Sequence, residues 1–472
     1  MENNEKATFA QTFEVQRPKY NDIWAGVLFL LFCAGFVAVS GISLQGYATT
    51  KGFNGGGIYD GNNDFGLSTN TIILFVLCVA SALVLSYAYV LLARFFTKQI
   101  IWITGILNVL WGLGLAIYML SRRYWSGGIV MLVFSLFFVF AFFSWRRRIP
   151  FSVLMLQTAI DVSRTYGHVY LVSLLGGLAA AAFGIWYTIT LVAVYVRFEP
   201  GANPACDRGA GGCSTATVIG LIVFITFTAY WMTEFLKNYI HTIISGVYGS
   251  WYFRPTALPS GPTRGAIRRA STYSFGSISF GSLLVAIINF LRQLCSVGQQ
   301  SEAQSGDIVG AIAFCVLRCF LGVLEWVVQF INRYAFSYIA LYGKAYIPAA
   351  KDTWRMIRDR GIDALVNECL IGPVFGMGSF FVAFFCGLLS FLYVTFTKPA
   401  YNEHNEFTPV IVAFAFVVGL QMCNTMTVPL SSGIDTIFVA MAWDPEAMRT
   451  QHPDLWDQIV ARYPKVQQAV MA

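Results

Sequence analysis

Residues 374–396 read VFGMGSFFVAFFCGLLSFLYVTF, twenty-three positions without one charged side chain. At 1.5 Å per residue, a helix of that length crosses the roughly 30 Å hydrocarbon core of a bilayer. Water would have no polar surface to meet on such a helix, so the stretch predicts a membrane span. The same pattern recurs nine more times. Apolar runs predict spans at Ile23–Ile42, Thr71–Ala93, Ile100–Leu120, Gly127–Trp145, Tyr170–Val196, Thr215–Ile240, Ser274–Leu294, Val309–Ile331 and Thr408–Val428. Alternating short strands are absent from the pattern, which favours helices over a β-barrel. The expected fold is all-α, a polytopic membrane helical bundle of about ten transmembrane helices. Ser431–Trp443, beyond Pro429, fits an extension of the tenth helix, an interfacial helix or an eleventh span. The eleventh span is the weakest of these, because the stretch is short and carries Asp435.

Composition agrees with this reading. The 472-residue chain is 57% hydrophobic and 12% charged, whereas soluble chains carry roughly 25% charged residues. The first run follows a polar stretch, Met1–Asp22, and is too long for a signal-peptide core, so it is expected to be retained as a span. The expected organisation is a tail over 1–21, a membrane domain over 22–443 and a second tail over 444–472.

Ten crossings divide the basic residues unevenly. Twenty-three of the thirty-one Lys and Arg fall on the side holding both termini and seven on the other, with Arg318 inside a span. Basic residues stay cytoplasmic, so both termini are expected inside the cell. Topology accounts for the net charge of +7, and no nucleic-acid partner is needed. Cys206 and Cys213 share the Gly-rich outer loop GANPACDRGAGGCS, where an oxidising compartment favours a disulfide between them. Cys295 is expected as an unpaired thiol of another outer loop. The remaining cysteines in apolar runs read as small core residues.

Two cytoplasmic connections look amphipathic. Gln157, Asp161 and Arg164 face away from Phe151, Leu154 and Met155, and Lys351, Arg355 and Arg358 recur at helical spacing beside Trp354 and Ile357. Anchoring on anionic membrane lipids explains both. Ser277 with Gly281, and Gly372 with Gly376, mark close helix approaches.

Chemistry is sought among ionisable groups inside spans, which are costly there and require a reason. Glu234, Arg318 and Glu325 qualify, and Asp435 joins them if the tenth helix runs on. Glu234 has Tyr230 and Trp231 one turn before it and Asn238 one turn after. A carboxylate with ring faces suits a desolvated cation. A structural Glu bonded to a neighbouring helix, with Trp231 as packing, fits the residues equally well. Lys237 reads as a snorkelling residue at the cytoplasmic edge rather than a partner of Glu234. Glu325 reads as lying toward the cytoplasmic end of its span, sharing a helix face with Arg318. Asn289, Gln421 and Asn424 are polar groups in apolar runs. No Walker-type GxxxxGK[ST], HExxH or GxSxG occurs, and the four histidines are scattered. No enzyme, cofactor or ATP-driven pump is expected.

Four stretches resemble the choline transporter-like family. WMTEFLKNYIHTIISGVYGSWYF (231–253) resembles its sixth-span signature, and RRASTYSFGSISFGSLL (268–284) its basic approach to the next span. LEWVVQFINRYAFSYIALYGKAYIPAAKDTW (324–354) resembles its most specific mark, and GIDTIFVAMAWDPE (433–446) its final segment. PKYNDIW (18–24) is most similar to the fungal branch, the "pH nine sensitive" type. The resemblance implies a plasma-membrane transporter of choline or a related small organic amine, facilitated or secondary. Tyr230, Trp231, Glu234, Asn238, Asn289 and Arg318 are the candidate substrate-binding residues. One departure from the pattern is the short outer loop Ser43–Asn70. A non-transporting scaffold or stress-response protein remains the alternative.

Overall fold

A computed structural model describes residues 19–51, 69–146, 148–199, 214–254, 261–359, 369, 371–397 and 408–462. Those residues are built from helices: α1 (Ile23–Lys51), α2 (Thr69–Phe95), α3 (Thr97–Ser121), α4 (Trp125–Trp145) and α5 (Ile149–Thr165). Next come α6 (His168–Phe198), α7 (Thr215–Phe253), α8 (Pro262–Ser271), α9 (Phe275–Ser305) and α10 (Ile308–Tyr342). The chain ends with α11 (Tyr346–Asp359), α12 (Ile371–Thr397), α13 (Thr408–Trp443), α14 (Pro445–Gln451) and α15 (Pro453–Arg462). Ten of these are long and apolar enough to cross a membrane, at the ten positions the hydropathy predicts. The fold is a polytopic helical bundle.

Helix ends are set by local chemistry. Asp307 caps α10 by accepting from the N–H groups of Val309 and Gly310, each at 3.0 Å. Gly306, at φ +84°, closes α9 just before it. A left-handed residue followed by an N-cap makes the tight α9–α10 hairpin. Ser214 caps α7 in the same way, accepting from Thr217 N at 3.0 Å.

Contacts divide the chain into two compact units. The first comprises Met1–Gly61, Leu174–Met356 and Asp435–Trp443. Within it α9 packs along α10, α7 packs against both, and α1 lies on α7 and α9. At the close approach foreseen at Gly281, an added Cβ would collide with the rings of Tyr346 and Phe336. The α10–α11 corner is tied to the start of α1. Asp22 accepts from Ser277 Oγ at 2.7 Å and Tyr346 N at 2.8 Å, and Asn21 donates to Gly343 O at 2.8 Å. The end of the stretch expected as a tail is therefore part of the folded unit. Lys344 donates to Asp352 at 2.8 Å, which holds its ammonium above the usual lysine range, and burial raises the Tyr346 hydroxyl.

The second unit comprises Asn62–Ser173, Ile357–Ile434 and Asp444–Ala472. Within it α3 packs on α4, and α12 packs on α2 and α3. The amphipathic segment forms α5 with the two faces expected, yet its apolar face (Phe151, Leu154, Met155) is buried against protein rather than lipid. The second expected tail contributes α15, whose Trp456 and Ile459 are buried and which packs on α5.

Pro429 does not end α13, which runs unbroken to Trp443. A proline lacks the N–H that would bind the carbonyl four residues earlier, that of Thr425. Ser173 Oγ supplies the missing donor, reaching Thr425 O at 2.5 Å. Ser431–Trp443 is thus an extension of the tenth span, and no eleventh exists among the described residues. Two smaller expectations are corrected, and a third is not tested. Cys295 lies within α9, buried with Ile288 and Leu321, and is no loop thiol. Gly372 and Gly376 meet nothing within 4 Å, so they mark no close approach. Cys206 and Cys213 fall outside the described residues.

Candidate functional site

Polar groups line one seam of the first unit. On α7, Tyr230, Glu234, Lys237 and His241 recur at spacings of four, three and four, which places them on one helix face. On α10, Glu325, Gln329, Arg333 and Ser337 recur every four residues. The two rows meet, because His241 Nε2 lies 2.8 Å from Arg333 O and 3.0 Å from Ser337 Oγ. Ser245 Oγ continues the seam to Ser337 Oγ at 3.2 Å. An apolar contact would suffice to pack two helices, so a polar row of this length is not explained by packing alone.

Glu325 stands at the centre of α10, seventeen residues from either end. Three donors hold its carboxylate. Arg292 of α9 forms an ion pair with it, and Gln329 Nε2 donates to Oε1 at 2.9 Å. Asn289, with its amide nitrogen turned to the carboxylate, donates to Oε1 at 2.7 Å and Oε2 at 3.0 Å. Gly322 lies beside the arginine, where a Cβ would make ordinary contact, 3.9 Å from the guanidinium carbon. The helix runs well beyond the apolar stretch Val309–Ile331, so a residue near the end of that stretch stands at mid-length of α10. Arg292, near the end of the run Ser274–Leu294, is a helix residue facing a carboxylate.

Glu234 is likewise at mid-length of α7, nineteen residues from either end. It is neither buried among donors nor open. Its side chain is 12% exposed, and its ion-pair partner is Lys237, Nζ to Oε2 3.6 Å. The expectation that Lys237 only snorkels is corrected: three residues along a helix bring the ammonium back over the carboxylate. Glu325 lies near Glu234, and Arg292 and Glu325 both lie near Tyr230. Tyr187 of α6 reaches the same region and shares a hydrogen bond with Thr226 at 3.0 Å. Depth follows from α1. Phe29, six residues from its start, stacks on Phe235 at 4.4 Å and meets Trp231 at 5.3 Å. Glu234 is thus about 10 Å inside the level where α1 begins.

Other expected residues separate from this cluster. Trp231 is fully covered, 0% exposed, ringed by Phe29, Phe32 and Phe227, and donates from Nε1 to Ser279 O at 3.0 Å. It occupies a packing position. Asn238 bridges helices, donating to Ser282 Oγ at 2.9 Å. Arg318 is exposed on α10, although it shares a face with Glu325. The layer between α9 and α10 at its level is apolar, built on Cys295, Leu321 and Phe314, and a guanidinium turns away from such a layer. Asp435 is 3% exposed and pairs with Arg333, Nε to Oδ2 2.5 Å. Arg292, Gln329, His241 and Arg333 were not singled out from sequence, though the four-residue spacing on α10 was there to be read.

The comparisons bear on the same segments. Residues 129–446 match the family described as "Plasma-membrane choline transporter". The chain belongs to the choline transporter-like family. That match spans α7, α9 and α10, which carry the seam. Over nearly its whole length the chain is also similar to fungal proteins named Protein PNS1. It is 60% identical to that of Neurospora crassa, over 98% of this chain and 84% of the relative. With that of Gibberella zeae it shares 58% identity over 99% and 87%. With that of Saccharomyces cerevisiae it shares 41% over 95% and 85%. Family membership makes it a multi-pass membrane protein of a transporter family.

Proposed function

We propose that the protein carries choline or a related small organic amine across the plasma membrane, by facilitated or secondary transport. Residues 22–443 form the transporter domain, and both termini lie in the cytoplasm. The observation that carries the reading is Glu234, a carboxylate at mid-length of α7 whose cationic partner is held at 3.6 Å, beyond hydrogen-bond range. A half-satisfied carboxylate beside a tyrosine ring suits an ammonium ligand. Each cation–π contact contributes about 0.5–2 kcal/mol and fixes no single ligand shape. Tyr230 supplies the ring, and Asn289, Arg292 and Glu325 form the polar wall beside it. Trp231 and Asn238 hold α7 in place against α1 and α9, while Arg318 stands apart.

The test is uptake of radiolabelled choline into liposomes containing only this protein. Uptake above empty liposomes supports transport. The second reading, a non-transporting scaffold or stress- and pH-response protein, draws on the interhelical ion pairs Arg292–Glu325 and Arg333–Asp435. It expects no uptake of choline, ethanolamine or tetramethylammonium.

A further inference from the structure

The two carboxylates of the seam are held differently. Glu325 is fixed by Arg292, Asn289 and Gln329, from two helices. Glu234 is met by the ammonium of Lys237, from its own helix, at 3.6 Å. The exposed end of that pair is the lysine, 58% accessible against 12% for the glutamate. A pair with one end in the open contributes little, and a lysine head swings freely on its four-carbon stem. Arg292 instead reaches from α9 to a carboxylate on α10 that Asn289 and Gln329 also hold.

Charge balance then restricts what Glu234 can bind. Glu234 and Glu325 carry two negative charges, and Lys237 and Arg292 carry two positive ones. An arriving cation would leave one excess positive charge in a partly desolvated seam, which is costly. Swinging Lys237 out removes that excess and frees the carboxylate in one movement. We propose that Lys237 is the resident counter-ion of Glu234, and that an organic ammonium ligand binds by displacing it. This rests on the amine-transport reading of Glu234. The site exchanges one cation for another and stays neutral in both states. An unloaded carrier can reorient without exposing a bare carboxylate to hydrocarbon. A neutral molecule of the same shape cannot displace the lysine, so the site selects for charge.

The experiment measures equilibrium binding of choline, ethanolamine and tetramethylammonium to the full chain in lipid nanodiscs. Lys237→Gln is expected to bind the cations up to about fivefold more tightly, the ratio for loss of a weak competing ion pair. Lys237→Arg keeps the competitor and stays near the parent. Glu234→Gln weakens binding, and adding Lys237→Gln to it gives no gain. In the unmutated protein, saturating choline should speed acylation of Lys237 by an amine-reactive reagent, read by mass spectrometry. The neutral isostere 3,3-dimethylbutanol should neither speed acylation nor compete. If Glu234→Gln weakens binding but Lys237→Gln binds no more tightly and choline leaves acylation unchanged, Glu234 holds the ligand and the exchange is wrong. If Glu234→Gln binds as the parent does, or the parent binds none of the three amines, the amine reading falls and the exchange falls with it.

Discussion

Replacing Glu234 by Gln removes one charge and little else. The amide keeps the size and half the acceptor capacity of the carboxylate. Its partner Lys237 is more than half exposed, so the freed ammonium keeps its hydration. Losing such a pair costs folding at most about 1 kcal/mol. Ligand binding should suffer more. A hydrogen bond to a charged group contributes about 1.5–3 kcal/mol. The parent must first give up the Lys237 pair, worth about 0–1 kcal/mol. The difference is a loss of about 0.5–3 kcal/mol, or about two- to 150-fold in Kd. Ligand-induced thermal stabilisation of purified protein across a panel of amines reads this directly. Glu234→Gln should melt close to the parent when unliganded and gain less from every amine that stabilises the parent. An undiminished gain would show that Glu234 is structural and that the ligand sits elsewhere.

Trp231→Leu should act on stability first. The indole is fully buried and bonded to Ser279 O, so truncation leaves a cavity and should cost about 2–4 kcal/mol in unfolding experiments. Asp435→Ala should cost about 1–3 kcal/mol in the same assay, less than for a fully buried pair because Arg333 is 42% exposed. Gly281→Ala should destabilise by about 1–3 kcal/mol through its clash with Tyr346 and Phe336, whereas Gly376→Ala, in open space, should be silent. Non-reducing peptide mapping should find Cys206 linked to Cys213, and alkylation of both in the intact protein would contradict the bridge.

Hydropathy located every span because it reports the solvent, and hydrocarbon imposes the same demand at each crossing. It could not find where helices stop. The ends of α7, α10 and α13 extend past their apolar runs into packed protein, where polar residues are tolerated. Glu325 lies near the end of its apolar run and yet at mid-length of α10 for that reason. Pro429 left the course of the chain beyond it open for a related reason, since the donor that repairs the helix, Ser173, lies 252 positions away. Glu234 and Asn289 were legible as costly groups that need a cause. Their partners were not, because Arg292 and Lys237 count equally well as topology signals. Trp231 was ambiguous in sequence, and the structure gives it to the core because α1 covers the face it occupies.

The account stands most directly on counterflow. Liposomes containing only this protein are loaded with unlabelled choline and diluted into a trace of labelled choline. The parent should accumulate label transiently above equilibrium, and Glu234→Gln should do so far more weakly. Absence of accumulation by the parent, or equal accumulation by both, would contradict the claim that Glu234 carries an organic cation across the membrane.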